Sequence, residues 1–224
     1  MDSFIPQTSL FIGIIPALVV LYIGLKGYED FYKDKLIYLT FITGIIIGVA
    51  SAAIELFTQD IGLVYIVLFP ILEQLFKTII LNMGRFQEKQ ETTVYGFSLG
   101  LGFGSVFTPV AIYFGNFQDL FSMIAAMIGS FGITLFHAAT GILIGYGVYV
   151  NKLAKYLTFS ILLHFVITTV IGVTNLLSIG YLQITLLIYG LLIFWYALKR
   201  VMSRILTEGQ RRKRTKKDIE IKSK

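Results

Sequence analysis

The stretch FPILEQLFKTIIL, Phe69 to Leu81, decides how the chain is read. It lies in one of the most apolar parts of the sequence, and yet it carries Glu73 and Lys77 one helical turn apart. A bilayer-spanning helix needs roughly 17 to 25 predominantly apolar residues. Working outward from this stretch, runs of that kind begin near Ser9, Leu36, Ile61, Thr93, Leu120, Tyr156 and Tyr181. The composition agrees: 56% of the 224 residues are hydrophobic, 14% are charged and the mean hydropathy is +0.78, far from the balance of a soluble domain. The sequence therefore predicts an all-α, polytopic membrane bundle of seven transmembrane helices.

Basic residues orient the bundle. Lys26, Lys33 and Lys35 follow the first run, Arg85 and Lys89 the third, Lys152 and Lys155 the fifth, and eleven Lys and Arg lie from Lys199 onward. The alternate loops, around Asp60, Asn116 and Ser178, have none. The positive-inside rule then places the N-terminus outside and the C-terminus in the cytoplasm. This alternation also argues that the long fifth run, Leu120 to Val150, is one helix and not two. The first run lacks a basic leader and a small-residue cleavage site, so it is expected to remain attached.

Residues 1–203 are read as the transmembrane domain and 204–224 as a basic, disordered cytoplasmic tail. The tail's RRKRTKK, Arg211 to Lys217, admits a nucleic-acid reading. An attraction to anionic lipid head groups, at about 1 kcal/mol per basic residue, explains it more simply, and no nucleic acid is expected as a partner. The chain contains no cysteine, which excludes disulfides and thiolate metal sites. It also contains no N-x-Ser/Thr sequon, which is compatible with a prokaryotic cell membrane.

Ionisable groups inside a membrane are costly and face the bundle interior, so each is a candidate site. Four qualify: Glu73 and Lys77 in the third run, His137 in the fifth and His164 in the sixth. Glu55, at the outer end of the second run, reads as shallow. At about 1.5 Å per residue, Glu73, His137 and His164 fall in one layer. Two readings stay open. Glu73 and Lys77 form an i, i+4 ion pair while the histidines make interhelical hydrogen bonds, or Glu73, His137 and His164 form a two-His, one-carboxylate zinc site. In the fourth run, YGFSLGLGFGSVF carries Gly96, Gly100 and Gly104, a ladder of bare backbone suited to close packing by a helix of the same chain or of a partner.

The order of these elements, EQLFK, YGFSLGLGFGSVF, FHAATG and LLHF, resembles the superfamily of PrsW-type intramembrane proteases, CAAX prenyl proteases and the anterior-pharynx-defective scaffold subunit of γ-secretase. The resemblance covers the third to sixth runs. Glu73 and Lys77 match the ends of the PrsW EExxK motif, His137 and Gly141 match HxxxG, and His164 matches a later histidine. Gln74 stands where the second Glu belongs, and Phe107 stands near the place of an acid in the fourth span. A Gln amide cannot act as a base, and Phe can neither ligate nor accept a proton. The seven spans, the glycine ladder and the two buried histidines resemble the γ-secretase scaffold more closely. The resemblance thus implies a protease-type fold kept as a non-catalytic scaffold for another helical membrane protein, such as a presenilin-like protease, without a cofactor. The alternative it implies is a divergent intramembrane metalloprotease with zinc on Glu73, His137 and His164.

Overall fold

The computed structural model describes residues 5–58, 63–87, 89–115, 119–177 and 179–206, and among these it is helical throughout, with no strand. The helices are α1 (Ile5–Leu25), α2 (Asp34–Thr58), α3 (Leu63–Leu81), α4 (Glu91–Gly104), α5 (Phe107–Phe114), α6 (Leu120–Tyr149), α7 (Leu153–Leu176) and α8 (Ile184–Tyr196). Short 3-10 turns precede α2 and α8, and a π-helical turn, Ala197–Val201, continues α8. Among the described residues, five helical stretches are long and apolar enough to cross a membrane: Asp34–Thr58, Glu91–Phe114, Leu120–Tyr149, Leu153–Thr174 and Gly180–Ile205.

Each long helix turns large apolar side chains outward. Ile46, Ile79, Leu162 and Leu192 are all well exposed, while Glu73, Lys77, His137 and His164 are buried. This inversion of the soluble pattern is what a hydrocarbon solvent demands, since every polar group must find its partner inside the bundle.

At the centre stand α4 and α6. Every residue of α4 from Thr92 to Gly104 is buried. Such burial is possible because glycines let neighbouring backbones close in. A Cβ at Gly96 would sit 2.2 Å from the Gly141 carbonyl oxygen, one at Gly100 would sit 2.1 Å from that of His137, and one at Gly104 would sit 2.5 Å from the Thr134 Cα. Gly141 returns the contact, its own missing Cβ falling 2.1 Å from the Gly96 oxygen. The ladder is therefore taken up by α6 of the same chain, and its three patches leave no room for a partner helix. On its other side α4 meets α2, where Gly102 faces the Phe41 backbone and the Ser98 hydroxyl donates to the Ile37 carbonyl at 2.7 Å.

Two features add local detail to the sequence reading. The fourth run is not one straight helix: α4 stops at Gly104 and α5 starts at Phe107. Pro109 has no N–H for the Ser105 carbonyl four residues back, and it is tolerated in the first turn of a new helix, where that donor would be orphaned anyway. The Thr134 hydroxyl donates to the Gly104 carbonyl, the last of α4, at 2.9 Å, which secures the break to α6. The folded body also continues past residue 203, because Met202, Ile205 and Leu206 are buried in the main apolar core with Leu21, Leu25 and Phe97. The basic run Arg211 to Lys217 lies outside the described residues. The fifth run is a single helix of 30 residues, capped at its start by Asp119, which accepts the Ser122 N–H at 2.7 Å. That bond and the Ser122 hydroxyl hold the Asp119 carboxyl below the usual carboxylate range.

Gly100→Ala is expected to destabilise the protein by more than the ~1–3 kcal/mol typical of overpacking, because the new Cβ meets backbone and not a movable side chain. Gly84, with nothing within 4 Å of its would-be Cβ, provides the control: Gly84→Ala leaves thermal stability in detergent essentially unchanged. Equal melting temperatures for the two variants would show that the ladder is incidental.

Candidate functional site

The polar side chains of α3 meet those of α2, α6 and α7 in a single buried cluster. Glu73, Gln74 and Lys77 lie on α3, His137 and Thr140 on α6, His164 on α7 and Ser51 on α2. None is more than 3% exposed. Helical periodicity accounts for the grouping: residues 73 and 77 repeat at i, i+4 and residues 137 and 140 at i, i+3, so each pair lies on one face.

The Glu73 carboxylate is the junction. Its Oε1 accepts the Ser51 hydroxyl at 2.9 Å. Its Oε2 lies 3.5 Å from His137 Nε2 and 3.4 Å from His164 Nε2. The outer nitrogens of both rings are also engaged: Lys77 Nζ is 3.1 Å from His137 Nδ1, and Gln74 Nε2 is 2.9 Å from His164 Nδ1. Lys77 further donates to the Thr140 hydroxyl at 2.6 Å. The acid and the base of α3 thus both face the His137 ring on another helix, whereas one of the two readings of the sequence joins them in a direct ion pair along α3. Both ionisable groups are buried, and the imidazole lies between them.

Aromatic rings close the cluster. Phe107 stacks on His137 at 5.1 Å and 13°, Phe103 lies 4.7 Å from the same ring and 5.2 Å below the Lys77 ammonium, and Phe136 packs 5.1 Å from His164. The cation over the Phe103 ring gains from the ring quadrupole. Phe107 therefore acts as a cover over His137. Glu55 lies one turn beyond Ser51 on the same face of α2, half-buried, and within electrostatic reach of Glu73. It is nearer the cluster than its place in the sequence implies.

Whether these residues suit a metal can be judged from the atoms. Glu73 Oε2 and His137 Nε2 are buried and have no hydrogen-bond partner. One ligand atom each from Glu73, His137 and His164 fall within 4.8 Å of one another. Two ligands about 2.0–2.1 Å from a tetrahedral zinc are about 3.3–3.4 Å apart, close to the 3.4 and 3.5 Å found here. Two edges of the triangle thus match a zinc tetrahedron, and Glu73, His137 and His164 are the residues that could hold a metal ion. Lys77 opposes it. As an ammonium, with three donors and no acceptor, Lys77 would donate to Nδ1 and leave the His137 proton on Nε2, the atom a metal would need.

Sequence reasoning found Glu73, Lys77, His137 and His164, and the structure brings all four together. It missed Ser51, Thr140 and the ring-binding role of Gln74. Thr140 carried a signal, lying one turn from His137, whereas Ser51 sits in a run of small residues, GVASAA, that gives no hint of a polar partner. No protein-family model, curated protein or solved structure matches the chain.

Glu73→Gln and Lys77→Met are each expected to destabilise the protein by about 3–5 kcal/mol, since each leaves the other charge buried and uncompensated. The double variant removes both charges and should lose clearly less than the sum. Additive losses, measured by unfolding in detergent, would show that the two charges are independent.

Proposed function

We propose that this chain is a non-catalytic membrane scaffold of the PrsW and CAAX-protease type, with seven spans, an outside N-terminus and a cytoplasmic C-terminus, that binds another helical membrane protein. The observation that carries this reading is the contact between Lys77 Nζ and His137 Nδ1 at 3.1 Å, in a cluster closed by Phe103 and Phe107. A donor-only ammonium on that nitrogen fills the centre with N–H groups aimed at the Glu73 carboxylate. A hydrolytic centre needs lone pairs on a metal, or a free carboxylate beside water. Here the two places where active relatives carry further acids hold an amide bound to a ring and a phenyl cover.

A hydrogen-bonded centre of this kind still has a task. It ties α2, α3, α6 and α7 at one depth and fixes the shape that the outer faces present. The motif order supports a partner of presenilin-like type, and the alternation of basic loops supports the topology.

A second reading, a divergent intramembrane metalloprotease, is favoured by the 3.4 and 3.5 Å separations that match two edges of a zinc tetrahedron. A bound zinc would polarise a peptide carbonyl or lower the pKa of a water. Gln74 adds no base to that chemistry.

Protein purified from zinc-supplemented membranes is expected to carry far less than one zinc per chain and to cleave no transmembrane substrate. Co-expression with a presenilin-like protease should yield a detergent-stable complex. Stoichiometric zinc, together with cleavage abolished by chelation or by Glu73→Gln, would replace the scaffold with the protease.

A further inference from the structure

Gln74 is buried completely, and its side chain makes one contact, from Nε2 to His164 Nδ1 at 2.9 Å, while its Oε1 has no partner. An amide, like a hydroxyl, is a neutral group that can meet a ring nitrogen either as donor or as acceptor, and at His164 Nδ1 that group is Gln74. In the orientation present, the NH2 donates, so His164 Nδ1 offers a lone pair and the ring proton sits on Nε2, 3.4 Å from Glu73 Oε2. Turned by 180°, Oε1 would accept a proton from Nδ1, and Nε2 would face Glu73 as a bare lone pair. Moving the proton between ring nitrogens leaves the imidazole neutral, so the two arrangements differ only in which atom looks into the centre. An ionised glutamate at this position has no proton to donate and permits only the second.

We infer that Gln74 is a positioning residue that sets the tautomer of His164. It points Nε2–H at Glu73 Oε2, 3.4 Å away, so that the cluster is a hub presenting N–H groups to the carboxylate and not a set of lone pairs to a cation. Lys77 does the same for His137, and the two residues of α3 that flank the junction thereby fix both rings from behind. This rests on the scaffold reading and gives the substitution of Gln for Glu a positive role: the amide is the group that can donate at this nitrogen.

The chain has two histidines, so histidine-selective 15N labelling yields two imidazoles. Their two-bond proton–nitrogen correlations, recorded on the full chain in lipid nanodiscs, distinguish Nδ1–H from Nε2–H. In the unaltered protein His164 is expected to show Nε2–H in roughly tenfold excess, the bias of one buried hydrogen bond. In Gln74→Met, which keeps the length and removes both polar atoms, the excess falls by roughly fivefold or more. A dominant Nδ1–H form of His164 in the unaltered protein overturns the inference, whether or not the variant folds. An Nε2–H excess that Gln74→Met leaves unchanged also overturns it, by assigning the tautomer to Glu73 alone. If His137 is Nε2–H and His164 is Nδ1–H, the role of Gln74 fails and the hub survives. If both rings are Nδ1–H with a zinc bound, the hub itself fails.

Discussion

An acid and an amine buried together in an apolar helix bundle need polar partners, and in this protein the His137 ring lies between them. Glu73 Oε2 faces one ring nitrogen and Lys77 Nζ the other, at 3.5 and 3.1 Å. Removing two charges from water costs several kcal/mol per ion even after relaxation. The cost is offset when each charge retains its counter-charge and its remaining hydrogen-bonding atoms are engaged. Ser51 donates to Glu73 Oε1 and Lys77 donates to Thr140, while Glu73 Oε2 faces the two ring nitrogens at 3.4 and 3.5 Å without a hydrogen bond. Because these groups come from four helices, the electrostatic requirement is also a geometric one: α2, α3, α6 and α7 must keep one register.

Packing at α4 makes that register possible. The glycine face of α4 lets its backbone come against α6 at His137 itself, since the atom nearest a Cβ on Gly100 would be the His137 carbonyl oxygen. The ring is thus placed by its own main chain, pressed against a helix with no side chain to move, and covered by Phe103 and Phe107. Small residues and polar residues have separate jobs in many membrane bundles. Here they meet on one residue, so a change in the ladder acts on the hub without touching any polar atom.

Local periodicities were legible in the sequence: apolar runs, Glu73 with Lys77 at i, i+4, and glycines four apart. So was the common depth of Glu73, His137 and His164, because helix rise converts residue count to height. Which helix meets the ladder was not legible, since a bare backbone face carries no mark of its partner. The route from Lys77 to Glu73 through a ring on α6 was hidden for the same reason, as an interhelical contact leaves no spacing in the chain. The end of α4 was announced by Pro109 four residues past Ser105 and could have been read. Ser51 could not, since a serine among glycines and alanines looks like packing. The role of Gln74 was masked by the resemblance, which presents it as a lost acid and not as a donor.

The central claim is that the space among Glu73, His137 and His164 is spanned by N–H groups and holds no metal. An experimental density map of the full chain in lipid, prepared with zinc present and with anomalous scattering recorded at the zinc edge, addresses it directly. The account predicts continuous side-chain density from Ser51 through Glu73, His137 and Lys77 to Thr140, with no anomalous peak. A peak about 2 Å from both Nε2 atoms, with Lys77 turned away from His137, would contradict it.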